Sequence, residues 1–393
     1  MNLKVEFRKR ILSLSVLAFS CTQIMLFTLF PLLAEKLSLP LNQIIGAFAV
    51  GTILFIWGSP YWASKSDSCG RYPVLAIGLF GLVLSFLLIL FLILFATGLN
   101  SILVLSLLVL SRVIYGLLAS GIVPVAQLAR ADMAMDNGMI SSMISHSLPI
   151  NLGRSLGPLL ILSGGEYLNF LFTGISVVSL GLAIILIKMP NQVKSIPPKE
   201  SFNRTWFSLG KMTVLPLIVT ILLTSYTGIL HSSLGFTLEN IFNLEGNEAT
   251  SLMAKVLLFG SLVMALTQVT SLCIFRKKFA PALFAGLACL STGAWLLTVI
   301  NHKGQLWVSI GLICMGIALI YPAHLALVHE RSNSLYKGKI IGLLSMGNTV
   351  GYAVGGIIAS IFLTSGINQL ALALTLLLAV ATYLNFKGAS YAQ

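Results

Sequence analysis

Arg112 and Arg154 stand inside apolar runs, in Leu110-Ser111-Arg112-Val113-Ile114-Tyr115-Gly116 and in Gly153-Arg154-Ser155-Leu156-Gly157-Pro158. A guanidinium carries five N–H donors in a rigid planar fork that can pair both oxygens of a carboxylate at once, so the chemistry open to these residues is the gripping of an anion. A charge of this kind at the centre of a hydrocarbon layer costs roughly 2.5–3.5 kcal/mol even on the most lenient scale, so each arginine must face a protein interior or a watery cavity.

The polar company within the apolar runs is sparse: His146, His231, His324, Gln23, Asn151, Gln268 and Tyr321, with Tyr115 sharing the helical face of Arg112 at i+3. The eleven acids sort to the ends of the runs, with Glu35 and Glu166 on one side and Asp67, Asp132 and Glu330 on the other. No carboxylate is expected at mid-membrane, so the anion that answers the arginines is expected to arrive as substrate. Arg112 is the expected contact, Arg154 and His146 assist it, and His231 and His324 face it from the second half of the chain. His146 and Arg154 share one stripe of their helix, roughly 12 Å apart along its axis. A histidine changes charge near neutral pH, which makes His146 the leading proton-coupling residue, with Glu35 as the acidic alternative.

The elements that must hold these residues are membrane helices. The chain has 393 residues, 57% hydrophobic and 9% charged, with a mean hydropathy of +0.97, which excludes a single water-soluble core. Runs of about 20 apolar residues recur along its length and match the bilayer thickness at 1.5 Å rise per residue. The sequence predicts an all-α membrane protein of twelve transmembrane helices in two six-helix bundles. The first set has limits 11–33, 41–63, 73–97, 101–124, 138–162 and 167–188, and the second 212–235, 250–274, 279–300, 305–328, 339–364 and 367–386. The divisions are an N-terminal bundle at 1–190, a polar linker at 191–211 and a C-terminal bundle at 212–393. Most of the 24 lysines and arginines fall in alternate connections on the side of the N-terminus, so both termini are expected to be cytoplasmic. The first run is too long for a signal-peptide core and is expected to remain attached.

The net charge of +13 is scattered over these connections, which speaks for topology and against nucleic acid. The five cysteines lack metal-ligand spacing, and neither a disulfide, a metal nor a cofactor is expected. A shift of 198 positions lays Pro322 on Pro124, Gly351 on Gly153 and Gly355 on Gly157, an internal echo of duplication in which Arg112 meets only Ile310. Two related bundles fit a transporter that rocks about a central site.

Three stretches carry a resemblance. The loop Asp67-Ser68-Cys69-Gly70-Arg71 resembles the loop signature of the major facilitator superfamily, with Ser68 where a basic residue is usual. The run through Arg112 to Gly121 and Pro124 looks like the second signature of that family. Gly153-x-x-x-Gly157-Pro158 resembles its fifth-helix exporter signature. The resemblance implies that Asp67, Gly70 and Arg71 form a conformational latch, that Arg112 lies in the transport cavity, and that Gly153, Gly157 and Pro158 shape a gate. Among exporters the chain resembles the drug/proton antiporters and, more distantly, exporters of carboxylate siderophores of the legiobactin type.

The expected function is secondary active export of a small amphipathic or anionic metabolite across a bacterial inner membrane by a multi-pass monomer in contact with lipid, with the proton as coupling ion. The alternatives are a multidrug/proton antiporter, an importer of an organic acid or iron chelate, and a non-transporting sensor. An enzyme is not expected, because no nucleophile, metal set or phosphate loop occupies a plausible site.

Overall fold

The structure, a computed structural model, describes residues 3–133, 139–164, 167–190, 214–274, 279–331 and 337–387. The expected linker at 191–211 lies outside them. Among the described residues all regular structure is helical. The order is α1 (Leu3–Thr28), α2 (Phe30–Leu37), α3 (Leu41–Cys69), α4 (Arg71–Phe95), α5 (Ser101–Leu118), α6 (Ile122–Met133), α7 (Met139–Gly164) and α8 (Leu168–Lys188). There follow α9 (Val214–Phe242), α10 (Gly246–Ile274), α11 (Phe279–Thr298), α12 (Lys303–Arg331), α13 (Lys337–Phe362) and α14 (Ile367–Lys387). Ten stretches of described helix are long and apolar enough to cross a membrane, and Met346–Phe362 is a shorter apolar helix. Large apolar side chains such as Ile102 and Phe170 lie more than 70% exposed, as expected of a surface solvated by lipid and not by water.

Two expected spans are broken. The first stops at Thr28 and resumes at Phe30, because Pro31 has no N–H and its ring would clash with the carbonyl four residues back. The N–H of Leu32, left without a helical acceptor, donates to Thr250 Oγ1 at 3.1 Å. The fourth expected span, 101–124, ends at Leu118, tightens into a 3-10 turn over Ala119–Gly121 and restarts as α6. Pro124 is the cause, since its ring excludes the helical position of the Ser120 carbonyl. That carbonyl accepts from Ser59 Oγ at 3.0 Å, and the Leu117 carbonyl accepts from Trp62 Nε1 at 2.5 Å, so α3 satisfies what the break exposes.

The described helices form two compact units. Unit 1 is Met1–Pro197 with Leu244–Lys255, and unit 2 is Pro198–Asn243 with Val256–Gln393. The first turns of α10 therefore cluster with unit 1, where Gly246 packs against the Pro31 carbonyl and the Glu35 carboxylate.

Each unit contains the same scaffold. The buried positions of α8, from Leu168 to Leu186, recur with identical spacing in α14 from Ile367 to Asn385. A Cβ at Gly153 would stand 2.6 Å from the Leu17 carbonyl oxygen, and one at Gly157 would stand 2.7 Å from that of Cys21 and 2.8 Å from the Met25 nitrogen. In unit 2 a Cβ at Gly351 would meet the Ile221 carbonyl at 2.5 Å, and one at Gly355 would meet the Ser225 carbonyl and, at 2.9 Å, the Ile229 nitrogen. In each unit a pair of glycines one turn apart lets two helix backbones touch.

Candidate substrate-binding site

Arg112 is 2% exposed and lies inside unit 1, among α3, α4 and α5. Its Nη2 donates to Ser85 Oγ and its Nε to Ser111 Oγ at 3.4 Å. The guanidinium carbon sits 4.5 Å from the centre of the Phe48 ring and 4.7 Å from that of Tyr115. Tyr115 in turn stacks on Phe19 at 5.9 Å and tilts against Phe55 at 5.3 Å, and its buried hydroxyl has no hydrogen-bond partner among the described residues. The cation is thus packed between ring faces.

No carboxylate forms an ion pair with Arg112 or Arg154 among the described residues. A cation–π contact contributes about 0.5–2 kcal/mol. Desolvating an ion costs several, so the rings offset only part of the penalty. Arg112 and the Tyr115 hydroxyl together make a concentration of donors with few acceptors. At the shift of 198 positions Arg112 and Tyr115 fall on Ile310 and Ile313 of unit 2. The cation and the tyrosine are replaced by isoleucines there, so they are a specialisation of unit 1 and not a demand of the scaffold.

Other expected site residues are dispersed. On α7, Asn151 and Arg154 are exposed, and Gln23 on α1 is half-buried. His146 belongs to α7 but lies outside the residues whose side chains are described. Gly153, Gly157 and Pro158 are buried against α1 or its surroundings in unit 1. In unit 2, Gln268 is half-buried on α10. His231 of α9 bonds through Nδ1 to the Tyr352 hydroxyl, and Tyr321 of α12 accepts from Asn348 Nδ2 at 2.6 Å. His324 is 3% exposed and sealed into the core. Its Nε2–H is directed at the Pro216 carbonyl at 3.2 Å with the Thr220 hydroxyl 3.3 Å away, while Nδ1 accepts from Asn385 Nδ2 at 3.3 Å. The equivalent positions of unit 1 are Ala126, Leu12, Val16 and Leu186, all apolar.

The loop after α3 holds the third constellation. Gly70 adopts φ 93 and ψ 154, a region open essentially to glycine, and so is the single residue between the end of α3 and the start of α4. Arg71 Nη1 meets Asp67 Oδ1 at 2.6 Å and Ser66 Oγ at 2.6 Å, and its Nε meets Asp132 Oδ2 at 3.0 Å. Asp132, on α6, is a partner that the loop sequence does not reveal. Asp67 and Asp132 are 50% and 36% exposed, so each ion pair is worth about 1 kcal/mol or less. Asp132→Asn is therefore expected to slow transport by less than about tenfold, and Arg71→Ala, which loses every tie, by more; initial flux rates of the two variants check this order.

The profile of the Major Facilitator Superfamily matches residues 12–332. The chain belongs to that superfamily: it is a multi-pass membrane transporter and not an enzyme. No curated protein matches its sequence. Among solved structures it is similar to the D323A mutant of the nucleoside transporter NupG, with a TM-score of 0.75 and 13% identity over 96% of this chain and 100% of that one. The human organic anion transporter MFSD10 gives 0.63 and 18% identity over 97% and 98%, and a D-xylose-proton symporter 0.68 and 13% over 91% and 97%. At these identities the likeness shows the fold alone.

Tyr352 and Asn348, the partners of His231 and Tyr321, were not expected from the sequence. The shift of 198 positions that pairs the glycines also lays Tyr352 on Arg154, and that coincidence was the available signal.

Proposed function

We propose that the protein exports a small anionic or amphipathic metabolite, a carboxylate siderophore being one such cargo, by alternating access. The observation that carries this reading is a buried Arg112 on α5 and an exposed Arg154 on α7, both without a carboxylate partner among the described residues. A cargo that brings its own carboxylates supplies the charge the protein withholds. The fold accommodates such cargo, since MFSD10 is an organic anion transporter. Twelve spans in two groups of six, cytoplasmic termini, a bacterial inner-membrane location and a monomeric state complete the proposal, with α7 as one of the spans. Export rests on Pro158 in particular. The glycine pair beside it recurs in unit 2, but the following residue there is Gly356. The proton is the proposed coupling ion.

Inverted membrane vesicles under an imposed pH gradient test the reading directly. Accumulation of citrate, absent from vesicles with an Arg112→Ala protein, is the expected result. Accumulation of a cationic dye such as ethidium in place of citrate would establish the multidrug alternative and reduce both arginines to structural roles.

A further inference from the structure

Two hydrogen-bonded pairs occupy consecutive turns of α13 in unit 2. Asn348 donates to the Tyr321 hydroxyl, and Tyr352 bonds His231. Asn348 and Tyr352 are separated by four residues and so lie on one helix face, about 6 Å apart along the axis. Tyr321 is 39% exposed, and the other three are half-buried. Polar groups on apolar helices are costly against lipid, so a half-buried row of them is expected to line water or ligand.

The row retains unused hydrogen-bonding capacity. Asn348 Oδ1 is buried and has no partner among the described residues, a polar atom left to be satisfied by what binds beside it. The Tyr321 hydroxyl accepts from Asn348 and still has its own proton to donate. Rotating the amide by half a turn exchanges its donor for its acceptor, so the pair can present either to a ligand. Adjacent donor and acceptor are the complement of a hydroxyl or an amide, and none of the four residues carries a permanent charge.

The duplicated scaffold gives a second, independent observation. In the frame set by the paired glycines, Tyr352 occupies in unit 2 the position that Arg154 occupies in unit 1, and Asn348 that of Ile150. Tyr352 is half-buried and Arg154 exposed. One position of the scaffold is thus cationic in the first unit and neutral and hydrogen-bonding in the second.

We infer that Tyr321, Asn348, Tyr352 and His231 form a neutral subsite on unit 2 that recognises hydroxyl or amide groups of the cargo. The inference rests on the proposed anion reading, in which the arginines take the charge. It narrows the cargo to hydroxylated or amide-bearing carboxylates and sets plain alkyl carboxylates aside.

D-gluconate and hexanoate test this, since both are six-carbon monocarboxylates and differ only in hydroxyl groups. Calorimetric titration of the purified full chain is expected to show gluconate bound at least about tenfold more tightly, the gain from one or two net hydrogen bonds. Asn348→Leu and Tyr352→Phe are each expected to bring the ratio close to one, and Tyr352→Phe keeps the ring that packs on α9. Gluconate bound no better than hexanoate, including no binding of either, overturns the inference, as does a ratio that survives in both variants. Arg154→Ala separates this from the parent reading: it is expected to weaken both probes alike. Unchanged affinity for both would overturn the anion role of Arg154 and leave the hydroxyl preference standing.

Discussion

Arg112→Met should lower transport by at least about 100-fold, equivalent to about 2.7 kcal/mol, while the protein still folds. Methionine retains most of the length and polarisability of the arginine stem, so it can fill the space between Phe48 and Tyr115 without leaving a large cavity. It also removes the cost of burying a cation. The variant should therefore unfold at the same temperature as the parent or a higher one, in line with the replacement of buried charges by apolar groups of like volume. Loss of flux with unimpaired stability would mark the charge as functional. Ser85→Ala, which removes one neutral acceptor and leaves the cation and both rings, should cost roughly tenfold or less. The check is flux measured beside thermal unfolding of the same preparations, and near-normal transport by Arg112→Met would remove Arg112 from the proposed site.

That box also shows what a sequence can and cannot disclose. Arg112 was legible because a charge in an apolar run needs an explanation wherever it falls. Phe48 and Ser85 were not, because phenylalanine and serine are ordinary residues of a membrane helix and acquire meaning only when α3, α4 and α5 pack together. The cost of the charge in lipid left two outcomes open, a protein interior or a watery cavity, and the packing of ring faces and two serine hydroxyls about the guanidinium is the first of them. Arg71 follows the same rule. Its i,i+4 partner Asp67 could be read along the chain, but Asp132 depends on where α6 ends, and that depends on the break Pro124 imposes.

The histidines divide on packing, which no local pattern encodes. His231 stands in a half-buried row, where its hydroxyl partner occupies a position that a charged residue fills in the other unit. His324 is enclosed by Thr220, Pro216 and Asn385 and ties three helices of unit 2. Its environment is complete without a ligand, which favours a structural role over the substrate contact expected from sequence.

Gly157→Leu should abolish transport, and Gly355→Leu should do the same. The atoms that a Cβ would meet at Gly157 are the Cys21 carbonyl at 2.7 Å and the Met25 nitrogen at 2.8 Å, and at Gly355 the Ile229 nitrogen at 2.9 Å. All belong to helix backbones, which cannot swing aside as a side chain can. Even alanine would force α1 from α7, or α9 from α13, by several tenths of an ångström, and leucine by far more, at a cost of roughly 1–3 kcal/mol or above. If the seam serves helix packing in both units, the two leucine variants should lose thermal stability to a similar degree, and alanine should give a graded loss at each site. If Gly157 shapes a gate, as its resemblance to the exporter signature implies, Gly157→Ala should reduce flux well beyond its effect on stability, while Gly355→Ala should reduce both in proportion. Unfolding midpoints and initial flux rates of the four variants decide between these outcomes. A proportional loss at both glycines would leave Pro158, absent from the second seam, as the single residue of that signature able to bear on direction.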